Sequence, residues 1–84
     1  MDKITQINVV LKEYFTLNKT VRSVPAKDMM PYFILAGIFS SDHNNGMPIR
    51  ALLKKLDADK KLRRIPFAVA ERKTKNTSWF FRRK

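Results

Sequence analysis

Apolar residues recur along the start of the chain at steps of three and four. Ile4, Ile7, Leu11 and Tyr14 fall on one face of a 3.6-residue period, and Val10, Phe15 and Leu17 widen the stripe. The pattern predicts an amphipathic helix over residues 3–17. Asp2 can cap its start, because a carboxylate there accepts from an unpaired N–H of the first turn, and Asn18 suits its end. Residues 19–24 read as a short extended segment: Thr20, Val21 and Val24 are β-branched, and Pro25 holds Val24 out of the α region. A second helix is expected over 26–36, with Pro25 in its first turn and Ser23 or Asp28 as caps. Pro31 lies inside that span, which leaves its start open between Pro25 and Asp28. Gly37 then fits a left-handed C-cap closed by Ile38.

Residues 40–46 (Ser-Ser-Asp-His-Asn-Asn-Gly) form a turn, and Pro48 suits a first helical position. Ile49, Leu52, Leu53 and Leu56 give the i, i+3, i+4, i+7 stripe of a third helix, 48–59. From Leu62 the period changes to two. Ile65, Phe67 and Val69 alternate with Arg64, Pro66 and Ala68, as in a half-buried strand, with Pro66 at an edge or entry. Residues 71–76 suit a hairpin tip and 77–82 its return strand. The expectation is one α+β domain, residues 1–84, with three helices, a short strand and a C-terminal β-hairpin.

Charge adds what the pattern does not. Residues 1–49 hold five basic and four acidic side chains; residues 50–84 hold thirteen basic against three acidic, a net +10. Such one-sided charge destabilises the compact state by self-repulsion, so a polyanionic partner is the expected compensation. On a helical projection Lys54 and Ala58 point away from the core, with Ala51 nearby and Arg50, Lys55 and Lys61 flanking. Small residues framed by long cations can approach a nucleic-acid groove while the cations reach phosphates. Arg72, Lys73 and Lys75 add cations on the hairpin, and Trp79, Phe80 and Phe81 offer rings for stacking, at least one of them on each face of its strand.

Catalytic and metal chemistry lack an inventory. The chain has no cysteine and one histidine, His43, whose nucleophile partner could only be a serine, such as Ser40 or Ser41 on the same loop, where nothing fixes the geometry. Its two glycines form no phosphate-cradling motif. No enzyme activity, cofactor or metal is expected. The first residues contain no apolar signal segment, and the apolar stretch 29–39 is too short to span a bilayer, so a cytoplasmic location without membrane association is expected.

The order helix, strand, helix, turn, helix, hairpin resembles the winged helix-turn-helix superfamily. Residues 48–65 are similar to the recognition helix and first wing strand of such domains, and 71–81 to a wing tip with an aromatic return strand. The resemblance implies duplex DNA binding, with helix 48–59 reading the major groove and Arg72, Lys73 and Lys75 as wing contacts. The candidate nucleic-acid-binding residues are Arg50, Lys54, Lys55, Lys61, Arg72, Lys73 and Lys75. The alternatives are a homodimeric protein-interaction module, with the first helix as its interface, or RNA binding through the same basic surface.

Overall fold

The computed structural model describes residues 2–84. Helix α1 spans Lys3–Leu17. The Asp2 carboxylate accepts the Thr5 N–H at 2.7 Å, and the helix closes where Asn18 donates twice, from backbone and side chain, to the Tyr14 carbonyl. Ile7, Leu11 and Phe15 carry the buried stripe. Leu17, expected to widen it, is 82% exposed instead. Six residues beyond Leu11, it has rotated about 120° off the stripe.

The extended segment is shorter than expected: β1 is Ser23–Pro25. The second helix divides in two. Ala26–Met29 form a 3₁₀ turn, and only Met30–Leu35 are α-helical, as α2. Pro31 accounts for the division: it has no N–H to bond the Lys27 carbonyl, which accepts from Met30 instead. Neither Ser23 nor Asp28 caps this segment through its side chain. Its C-terminus closes as the glycine suggested. Gly37 has φ +76°, its N–H donates to Ile34, the Ile38 N–H donates to Phe33, and Ile38 is buried.

Helix α3 is Met47–Ala58, one residue earlier at each end than the pattern implied. It ends in the same double bond, Lys60 to Asp57 and Lys61 to Leu56, with Lys60 in the left-handed region at φ 60°. The strand expected from Ile65 begins later and in the opposite phase. Leu62–Arg64 form a 3₁₀ turn, and Ala68 donates to the Ile65 carbonyl across a turn with Pro66 at its second position. Strand β2 therefore runs Ala68–Arg72, and β3 runs Thr77–Arg82. Because β2 includes Arg72, the hairpin tip is 73–76 rather than 71–76, closed by a Lys73 N–H to Asn76 bond of 2.8 Å.

The three strands form one antiparallel sheet in the order β1-β3-β2. Phe81 stands opposite both Val24 and Ala68, and Phe80 opposite both Pro25 and Val69. Phe81 is fully buried, so Ala68, Ala70, Arg72, Thr77 and Trp79 share the face turned to the helices, and Val69 and Phe80 lie on the outer face. The helices meet the sheet where the Phe33 ring stands edge-on to Phe81, centroids 6.0 Å apart. Around this contact Ile7, Leu11, Met29, Met30, Ile49, Leu53 and Ile65 are fully buried. Arg83 seals the sheet to the end of α1. Its backbone N–H donates to Arg22, its guanidinium to the Val21 and Asn18 carbonyls, and its charge lies 5.3 Å from the Phe15 ring centre. No helix among the described residues is long and apolar enough to cross a membrane.

Candidate nucleic-acid interface

Helix α3 is fixed at its N-terminus by a tightly coiled loop. Asn44, Asn45 and Gly46 are all left-handed, with φ 51°, 53° and 86°. The Asp42 carboxylate accepts the Gly46 N–H at 2.9 Å. Gly46 is packed directly on Lys27; a Cβ added there would sit 2.5 Å from the Lys27 Cβ. The start of α3 is thus set against the 3₁₀ turn before α2. The Arg50 guanidinium reaches back to the Asn44 carbonyl and holds the loop from the other side, while its Nε is buried without a partner among the described residues.

With Ile49, Leu53 and Leu56 turned inward, α3 presents Met47, Ala51, Lys54 and Ala58 outward. The hairpin rises beside this face. Between them runs an open groove of about 670 Å³, floored by the small residues of α3 and walled by Lys75, Asn76, Thr77 and Trp79. Arg50, Lys54 and Lys75 bring three cations to it. Its one carboxylate, Asp57, is taken by Arg72 in a two-pronged pair of 2.7 and 2.9 Å. The Arg72 guanidinium beside Asp57 holds its carboxyl below the usual carboxylate range, through the hydrogen bonds first and the charge second. The pair ties the last turn of α3 to β2. A second groove continues past Arg50, Asn76, Thr77 and Trp79 to Pro25 and Lys27.

The candidate residues separate by position. Arg50, Lys54 and Lys75 line the groove. Arg72 lies beside it with its fork engaged by Asp57, so it acts first as a brace between helix and hairpin. Lys73 is exposed at the tip, 3.8 Å from Glu71. Lys55 and Lys61 are exposed but lie outside the groove lining. Trp79, expected as a stacking ring, and Asn76 of the hairpin tip line the groove, and Lys27 and Thr77 enter the surface without having been candidates for it. Trp79 had a signal: it shares its strand phase with Phe81 and Thr77, so one face of β3 passes from core to groove wall. Lys27 had none, since its place follows from the close contact with Gly46.

Among the described residues no cluster of three or more His, Cys, Asp or Glu could hold a metal ion. Comparison of the chain with protein-family models, with curated proteins and with solved structures returns no match.

Proposed function

We propose that the chain is a non-enzymatic DNA-binding domain of winged-helix type, with α3 in the major groove and the 73–76 tip on the adjacent backbone. The observation that carries this reading is the groove: three cations, a floor of small residues, and a single carboxylate already neutralised. The element order α1-β1-α2-α3-β2-β3, with β3 between β1 and β2, supports the winged-helix assignment. Helix α3 has twelve residues, about 18 Å of helix. Its outer face of alanines lets the backbone approach, and the roughly 12 Å width of the major groove accepts one helix. On this reading Lys54, and Arg50 once it leaves the Asn44 carbonyl, meet bases or the flanking phosphates, and Lys75 and Lys27 meet backbone alone.

The test is fluorescence anisotropy with a labelled duplex at about 50 mM salt, a condition under which even nonspecific phosphate contacts register. Binding weakened by Lys54→Ala and by Lys75→Ala, with the thermal midpoint unchanged in both, supports the reading. A folded protein that binds no duplex at that salt overturns it. Preference for single-stranded or structured RNA over duplex would replace the ligand.

A further inference from the structure

Phe15, Phe33 and Phe81 lie in the core, and Phe39 and Phe67 pack against it; Phe80 alone among the phenylalanines does neither. It stands half-buried on the outer face of the sheet, in a row with Pro25 on β1 and Val69 on β2. Cations lie on both sides of this row. Towards α3 there is Lys27, which lines the second groove together with Pro25 and Phe80. On the other side Arg82 follows Phe80 by two residues on the same face, about 7 Å along the strand, opposite Ser23. Arg82, Arg22 and Lys84 line a depression there that has no carboxylate in its wall. Among the described residues none of these four cations is held in a salt bridge. The carboxylate that the strands place on this face, Glu71, lies towards the hairpin tip beside Lys73.

We propose that the outer face of β1 and β3 binds an unpaired nucleic-acid strand, with one base stacked on Phe80 and phosphates on the cations at either side. Bases in a duplex are covered on both faces by their neighbours, so a ring on a sheet can take only an unpaired one. Three half-buried side chains leave too little apolar surface for the centre of a protein interface of standard size. Flanking cations without carboxylates suit a chain that carries a phosphate at every step. The second groove joins this site to the first, since Arg50, Asn76, Thr77 and Trp79 line both. A duplex held by α3 then carries a single-stranded extension that passes Lys27 to reach Phe80. That continuity rests on the proposed duplex binding; the single-strand site does not.

Fluorescence anisotropy at about 50 mM salt tests this with three labelled ligands. They are a blunt duplex, the same duplex with a single-stranded extension of about eight nucleotides, and the extension alone as oligothymidine or oligouridine. The single strand should bind, and the tighter of the two chemistries names its source. The extended duplex should bind about 10-fold or more tightly than the blunt one. Phe80→Ala should weaken the single strand and the extended duplex roughly 5–150-fold, the worth of one stacked base, and leave the blunt duplex unchanged. Phe80→Trp should retain the binding. Arg82→Ala removes an exposed side chain and should keep the thermal midpoint. It should lower the magnitude of the single-strand salt slope by about 0.7. A single strand that binds regardless of Phe80→Ala overturns the site, as does an Arg82→Ala slope equal to the parent's. Displacement of the strand by polyglutamate at equal charge overturns it in favour of an acidic protein segment. Single-strand binding that depends on Phe80, without any blunt-duplex binding, upholds the site and overturns the duplex reading. Blunt-duplex binding that gains nothing from the extension does the reverse.

Discussion

Gly46 occupies a position that excludes a side chain on two independent grounds. Its φ of +86° costs an L-residue about 1–2 kcal/mol, and an added Cβ would meet the backbone of Lys27 at 2.7 Å. Gly37 has a similar φ of +76° but open space around it. Gly37→Ala should therefore lose about 1–2 kcal/mol in urea unfolding, from conformation alone. Gly46→Ala should lose roughly 2–4 kcal/mol, because overpacking against backbone adds to the same strain. The larger loss should also lower affinity for duplex DNA, since this contact sets where α3 begins. Arg83 is the other residue whose work is out of proportion to its place near the end of the chain. Arg83→Lys keeps the charge and gives up the fork that reaches the Val21 and Asn18 carbonyls together. Thermal or urea unfolding should show a loss of about 1.5–3 kcal/mol, the scale of charge-assisted hydrogen bonds to partners that are then left unpaired.

At the scale of elements, the brace between Asp57 on α3 and Arg72 on β2 makes the hairpin position depend on pH. The Asp57 carboxyl titrates below its ordinary range in the folded chain. Its stabilising contribution is therefore complete above the unfolded carboxylate pKa near 4, and is lost as pH falls through the lower folded value. Hydrogen exchange at the β2 and β3 amides should accelerate relative to the helices as pH falls below about 4, and Asp57→Asn should show that mobility at neutral pH. An unchanged exchange pattern in that variant would mean the strand pairing alone holds the hairpin. Much of the element order was legible in the sequence, because α1 and α3 carry long 3.6-residue stripes that no other element competes for. The misreadings cluster at prolines. Pro31 and Pro66 each break a hydrogen-bond ladder within a run whose apolar pattern continues across it, so periodicity alone placed helix and strand where the backbone turns. The groove was legible on its α3 side, where Ala51, Lys54 and Ala58 follow from the stripe opposite them. Its hairpin wall was legible in part, through Lys75 and Trp79; Lys27 reaches the second groove only through tertiary contact, and the pairing of Arg72 with Asp57 depends on two segments fifteen residues apart meeting at one register.

For the molecule as a whole, the charge available to a polyanion is smaller than the composition suggests. With Arg72 held by Asp57 and Lys73 beside Glu71, the cations placed along the two grooves are Lys27, Arg50, Lys54 and Lys75. Four phosphate contacts give a slope of log K against log salt of about −3.6, or roughly 150-fold weakening between 50 and 200 mM. A titration series should return that value, and Lys75→Ala should reduce its magnitude by about 0.9 for every sequence alike. Lys54→Ala should in addition flatten any preference among sequences. A slope steeper than about −6 would mean that Lys55, Lys61 and Lys73 bind phosphate as well.

The placement of β3 between β1 and β2 also imposes an order of events in time. The β2–β3 hairpin closes over four residues, a microsecond process, whereas pairing Val24 with Phe81 must bring together segments separated by most of the chain. The hairpin is thus a template that forms early and β1 a strand that arrives last, sealed by Arg83. In stopped-flow experiments, Val24→Ala should mainly hasten unfolding and leave the refolding rate nearly unchanged, as befits a contact made after the barrier. The same domain should then lose β1 first under any slow challenge, opening the second groove at Pro25 while the hairpin and the first groove against α3 stay formed.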